Sequence, residues 1–454
     1  MSTKHLLREQ RFGPLFITQF LGAFNDNVLK SALVIFITFH AATSGASAAD
    51  SAILVNVATG LFVLPFFLFS ATAGQLADKL EKSAYIRRVK LAEIGIMCFA
   101  AIGFAVGATY ALIGILFLMG IQSAFFGPVK YAILPQHLAE EELVNGNGLI
   151  EMGTFLAILI GTLLGGYVIE LQPFGPYIVG VVLLALALAG WFASRRIPVA
   201  ESLAPELPIS WNVPTQTWKI IGTARENQTV FNAILGISWF WAFGFIFLAQ
   251  LPTYAKDVLG GDGQVVTLLL AIFSLGIGVG AMLCTRLSGR LIEIGLVPIG
   301  AIGLTVFALD LVWASDVTRT GELIGPGAFL AQSAHWRIVI DLALIAVSGG
   351  LFIVPLYALM QHRSEETQRA RIVAANNIIN ALFMVVAAGA SIALLARGLT
   401  IPQLFAVVAL CNAAVAVYIF TLVPEFLMRF IVWVLMHTIY RLEIEGIEHI
   451  PDEG

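Results

Sequence analysis

Gln19-Phe20-Leu21-Gly22-Ala23-Phe24-Asn25-Asp26-Asn27-Val28-Leu29-Lys30 sits in the middle of an apolar run from about Pro14 to Phe39. A run of that length crosses a bilayer as a helix. Charges at such depth cost several kcal/mol and are kept where they face a protein interior or a water-filled path. At helical spacing Gln19, Asp26 and Lys30 share one face, with Asn27 at its edge. Asp26 and Lys30 are i,i+4 neighbours, which suits mutual neutralisation. Asn25 points off this stripe and is expected to bond a neighbouring helix. The pattern reads as a polar stripe lining a transport path.

The rest of the chain has the same character. Of its 454 residues, 59% are hydrophobic and 12% charged, and the mean hydropathy is +0.89. Soluble domains carry about 25% charged residues. The expectation is an all-α polytopic membrane protein. Twelve spans are expected, near 14–39, 51–72, 88–108, 110–134, 145–170, 174–194, 228–254, 264–285, 292–314, 337–361, 371–396 and 400–422. They divide the chain into an N-terminal six-helix bundle (1–194), a Pro-containing linker on the membrane surface (195–227), a C-terminal six-helix bundle (228–422) and a tail (423–454). Cys98, Cys284 and Cys411 lie in apolar runs without paired spacing, as small core residues do. No metal spacing, cofactor motif or nucleic-acid signature is present, and Gly276-Ile277-Gly278-Val279-Gly280 reads as a helix-packing face.

Basic residues set the expected orientation. With the N-terminus in the cytoplasm, only Lys256, Arg319, Arg337 and Arg397 of the 25 Lys and Arg fall in outer loops. Both termini are therefore expected inside. The halves also look like repeats: Phe126 to His137, with Tyr131-Ala132 and Gln136-His137, echoes Phe352 to His362, with Tyr357-Ala358 and Gln361-His362. Asn145 and Asn147 then match Asn376 and Asn377 at nearly the same offset. Parallel repeats imply a pathway between pseudo-symmetric halves.

Six plus six helices around a cytoplasmic linker resembles the major facilitator layout. Gly74-Gln75-Leu76-Ala77-Asp78-Lys79 is similar to that superfamily's loop motif. The resemblance implies close helix approach at Gly74 and a gating cap or ion pair at Asp78. Arg87 and Arg88 stand later than the motif's usual basic ending. Within the superfamily, Phe20 to Lys30 and Gly127-Pro128-Val129-Lys130-Tyr131 to Pro135 resemble bacterial lysophospholipid transporters. That resemblance implies a flippase moving lysophosphatidylethanolamine and similar lipids to the cytoplasmic leaflet of the inner membrane. The tail from Phe426 to Gly454 looks like the opening of a glycerophospholipid acyltransferase domain, with an apolar helix and then a strand-like piece. The H-x-x-x-x-D pair of such an enzyme is absent, so no enzymatic activity is expected of these residues.

The candidate substrate or ion ligands are Gln19, Asp26, Asn27, Lys30, Gln122, Lys130, Asn147, Glu151, Asn376 and Asn380. Asp26 is expected to take a coupling cation, sodium or proton, or a lipid ammonium, and Lys130 the lipid phosphate. Glu151 is placed to pair with Lys130 or to bind a proton or cation. Some of Trp239, Phe240, Trp241, Phe243, Phe245 and Phe247 are expected along an acyl-chain route. Glu93 and Asp310 show no legible partner, and Asp78 to Lys90 reads as a solvated face. The rival functions are a carrier of a soluble solute or drug on the same fold and a membrane anchor for the acyltransferase.

Overall fold

The computed structural model describes residues 3–44, 48–171, 173–288, 295–316 and 323–422, with a few positions between 428 and 436. The expected acyltransferase opening therefore lies almost entirely outside the described residues. In lipid every backbone N–H and C=O must be bonded within the chain, which leaves helices as the spanning elements of this sequence.

The first bundle comprises α1 (Gly13–Ser44), α2 (Ala48–Lys79), α3 (Lys82–Val106), α4 (Thr109–Ala132), α5 (Glu140–Ile169) and α6 (Gly175–Ser194). A linker helix, α7 (Val213–Glu226), follows. The second bundle comprises α8 (Gln228–Thr253), α9 (Gly263–Leu287), α10 (Leu296–Ala314), α11 (Ser333–Arg363), α12 (Arg369–Ala396) and α13 (Ile401–Leu422). Among the described residues, 12 helices are long and apolar enough to cross a membrane.

Helix ends follow local chemistry. Asn227 and Asp262 accept from the first free N–H groups of α8 and α9. Gly107 ends α3 at φ 72°, the left-handed conformation suited to glycine.

Packing repeats between the halves. α1 lies on α5 as α8 lies on α12; α2 lies on α4 as α9 lies on α11; α3 lies on α6 as α10 lies on α13. The bundles meet through two related pairs, α2 with α12 and α5 with α9. The glycine face of α9 works as its composition suggests. A Cβ on Gly280 would stand 2.1 Å from the Val347 carbonyl oxygen of α11, and one on Gly278 would press on Met152 of α5. The three cysteines are free thiols.

The linker forms a strap pinned under the first bundle. The Ala200 carbonyl accepts from Lys82 N–H, the Pro198 carbonyl accepts from the Ser83 hydroxyl at 2.7 Å, and Ala204 N–H donates to Asp78 C=O. Burial raises the pKa of Glu81 in the α2–α3 turn. Donation from the Ser83 hydroxyl and from the Ala200, Ala84 and Ser83 N–H groups outweighs it and holds the carboxyl below its usual range. The reading of Asp78 to Lys90 as a solvated face is overturned at three of its charged positions. Asp78 is buried at the end of α2 against Ala370 and Arg371, and Lys82 and Lys90 are buried because α3 begins at Lys82 and turns them toward neighbouring helices.

Candidate functional site

A cavity of about 380 Å³ lies between the bundles. Its floor is on the linker side, where Tyr131 of α4 and Tyr357 of α11 stack with centroids 4.5 Å apart and planes 6° apart. These two tyrosines are the repeat counterparts read from the sequence. From there the cavity reaches toward the far side as far as Lys30 and Thr59.

The first bundle supplies the charged wall. Gln19, Asp26, Asn27, Lys30, Lys90, Gln122 and Lys130 all line the cavity. Asp26 accepts from the Ser123 hydroxyl at 2.8 Å, and its other oxygen has no partner among the described residues. Asp26 and Lys30 flank the same space without closing an ion pair; the Lys30 ammonium lies 5.9 Å from the Phe62 ring centroid. Gln19 and Thr154 hydrogen-bond at 3.2 Å, tying α1 to α5. Asn25 points away, as its register implies, and donates to Glu93 at 3.0 Å.

Sequence reasoning missed a buried pair beneath this wall. Lys90 and Glu93 meet at 2.7 Å with side chains 1% and 2% exposed. Gln122 also donates to Glu93, at 3.1 Å. The Lys90 ammonium lies over Gly22, where any Cβ would come within 2.3 Å of it. The Lys-x-x-Glu spacing was a visible signal, but placing the third span's start near residue 88 left Lys90 at the membrane surface.

The first bundle also presents Phe62, Phe66, Phe126 and Ile158, and the second bundle supplies an uncharged wall. Trp241, Phe245, Leu248, Ala381 and Met384 line it, with Asn377 and Asn380 as its amides. Asn380 accepts from the Ser238 hydroxyl at 2.6 Å. Of the aromatic run in α8, only Trp241 and Phe245 face the cavity. Trp239 donates to Asn412, and Phe243 and Phe247 stack within the bundle.

Three candidates lie behind the floor. Asn147 and Gln361 exchange hydrogen bonds at 2.8 and 2.9 Å across the bundles. Asn376 is fully buried and does not line the cavity. Glu151 accepts from the Tyr131 hydroxyl at 2.5 Å, so Tyr131 stands where a direct pair with Lys130 was expected. Lys130 instead lies over the Tyr131 ring, 4.5 Å from its centroid.

Among the described residues, polar contacts between the bundles gather on the linker side. Asp78 accepts from Ala370 N–H at 2.9 Å and from Arg371 N–H at 3.2 Å, and pairs with the Arg371 guanidinium at 2.9 Å. It thus caps α12 from the other bundle. Arg87 reaches Glu81 at 3.4 Å, and Arg88 is exposed; neither meets Asp78. A Cβ on Gly74 would stand 2.7 Å from that of Ala374. Gly74→Val or Asp78→Asn is therefore expected to open the linker side, raising the open population at least about tenfold, since a hydrogen bond to a charged group contributes about 1.5–3 kcal/mol. Spin labels at exposed positions 88 and 365 should move apart; an unchanged distance distribution would refute this.

Residues 15–388 match the Major Facilitator Superfamily. The lysophospholipid transporter LplT of Serratia proteamaculans is 29% identical over 359 residues, covering 77% of this chain and 79% of its own. LplT of Escherichia fergusonii is 29% identical over 363 residues, covering 78% and 80%. Among solved structures, the human organic anion transporter MFSD10 superposes with a TM-score of 0.67 at 14% identity over 93% of this chain and 99% of that one. A bacterial homologue of the iron transporter ferroportin gives 0.60 at 14% identity over 92% and 99%. With its paired bundles, inter-bundle cavity and matching span, this chain belongs to the Major Facilitator Superfamily.

Proposed function

We infer that this protein is a secondary transporter that moves lysophospholipids, such as lysophosphatidylethanolamine, across the bacterial inner membrane by alternating access. The observation that carries the reading is the lining of the cavity: its cations and its one carboxylate all stand on the first bundle, facing an uncharged second bundle, and aromatic and aliphatic groups from both bundles complete the walls. A zwitterionic headgroup needs a cation for its phosphate and a carboxylate for its ammonium, and Lys130, Lys30 and Asp26 offer both. The volume sits at the lower end of small-molecule sites, about 300–1,000 Å³. It takes a headgroup and glycerol, with the acyl chain running past Trp241 and Phe245 into the bilayer. The LplT relatives support this substrate class.

With the basic linker side in the cytoplasm, the conformation described is closed inward and receives its lipid from the outer leaflet. Drive comes from a sodium or proton gradient, or from consumption of the product by an acyltransferase, whose opening the tail resembles. The test is uptake of labelled lysophosphatidylethanolamine into proteoliposomes, against a panel of organic anions and sugars, with sodium and proton gradients imposed separately. Lysolipid flipping that rises with one gradient is expected. Transport of a soluble compound without lysolipid flipping overturns the reading in favour of a solute carrier, and no transport of either favours an anchor.

A further inference from the structure

Glu151 is a buried carboxylate close to the cavity that does not line it. It is fully buried in α5, one carboxylate oxygen takes the Tyr131 hydroxyl, and the other has no partner among the described residues. A lone carboxylate oxygen in a dry site is costly as an anion. The charged and titratable groups facing it are Lys130 and Tyr131 from α4 and Tyr357 from α11. Its remaining packing partners, α1 and α9, present Gln19, Gly278 and Ala281 nearby. Lys130 is thus the cation acting on it, while also reaching into the cavity.

These contacts form one chain across both bundles. The Trp241 indole N–H donates to the Tyr357 hydroxyl at 3.1 Å, Tyr357 stacks on Tyr131, and Tyr131 donates to Glu151. The stack is also the floor that closes the linker side.

We propose that Glu151 is a proton-binding site that couples occupancy of the cavity to release of the Tyr131–Tyr357 floor. The inference rests on the lysophospholipid reading above and assigns its coupling ion. With Glu151 ionised, Tyr131 makes a charge-assisted hydrogen bond, roughly twice as strong as a neutral one, and the ring is held against Tyr357. A phosphate that engages Lys130 withdraws the cation that stabilises the carboxylate. Glu151 then takes one proton from solution onto its free oxygen, and no other bond forms or breaks. The Tyr131 donor bond weakens to a neutral one, the stack loosens, and the linker side opens. By linkage, protonation tightens phosphate binding as much as phosphate favours protonation.

The experiment adds lysophosphatidylethanolamine to the full chain in weakly buffered detergent. Binding is followed by tryptophan fluorescence and proton uptake by a pH indicator. Wild type is expected to take up about one proton per lipid bound. Glu151→Gln, which is nearly isosteric and lies behind the cavity wall, should bind lipid and take up none. Tyr131→Phe removes the donor that favours the charged form, so its uptake maximum should move to higher pH. This second variant keeps the question decidable if Glu151→Gln does not fold. Binding without proton uptake in wild type, full uptake in Glu151→Gln, or an unmoved maximum in Tyr131→Phe overturns the proposal and leaves the substrate reading standing. No binding by wild type overturns the substrate reading, and the coupling with it.

Discussion

Asp26→Asn is expected to abolish gradient-driven uptake of lysophospholipid while the protein still folds. Asp26 is the carboxylate of the charged cavity wall that keeps an oxygen without a partner among the described residues. Its hydrogen bond from Ser123 survives in asparagine because the amide oxygen accepts as the carboxylate does. The charge does not survive. An ammonium held about 4 Å from a carboxylate gains about 4 kcal/mol at an effective dielectric of 20, roughly a thousandfold in affinity. Removing it leaves Lys30 and Lys130 to repel the same ammonium across a small cavity. The measurement is flipping of labelled lysophosphatidylethanolamine in proteoliposomes under an imposed gradient, with circular dichroism and elution volume as checks of folding. Wild-type rates in a folded Asp26→Asn protein would remove this residue from the mechanism.

The second large effect falls on stability. Lys90→Met leaves the buried Glu93 carboxyl among Asn25 and Gln122 without the ammonium that faces it. Breaking one side of a buried ion pair costs about 3–5 kcal/mol, whereas replacing both partners by well-fitting neutral groups is often close to neutral. The single variant should therefore unfold at a markedly lower temperature, and Lys90→Met combined with Glu93→Gln should regain most of the loss. The amide that replaces the Glu93 carboxylate would keep an oxygen for Asn25 and Gln122, and an unbranched methionine side chain still passes over Gly22. Thermal unfolding in detergent, read by tryptophan fluorescence, gives the comparison. A single variant as stable as wild type, or a double variant no better than the single, would show that the pair does not hold α3 in place.

The stripe on α1 was legible because it obeys helical arithmetic and nothing else. Gln19, Asp26, Asn27 and Lys30 reach the cavity together, and Asn25 leaves it, as 3.6 residues per turn require. What one helix does with its own charges was less legible. Asp26 and Lys30 have the spacing of an ion pair, yet Asp26 turns to Ser123 on α4. The same happened at Lys130 and Glu151, where Tyr131 stands between the groups. Periodicity gives the face on which a residue lies, whereas its partner depends on the tilt and rotation of the opposing helix.

The sequence by itself determined the number of spans, the polar face of α1 and the repeat that brings Tyr131 opposite Tyr357, because burial in lipid forces helices and helices fix registers. Only the tertiary structure decided that Asp78 caps α12, that Lys90 is neutralised by Glu93 with donors from α1 and α4, and that Glu151 sits sealed behind the floor. Those contacts join helices whose relative placement is set by close packing of small residues, as at Gly74 against Ala374 and Gly280 against Val347. An ångström of separation there selects one hydrogen-bond partner over another, and no spacing along the chain records that distance.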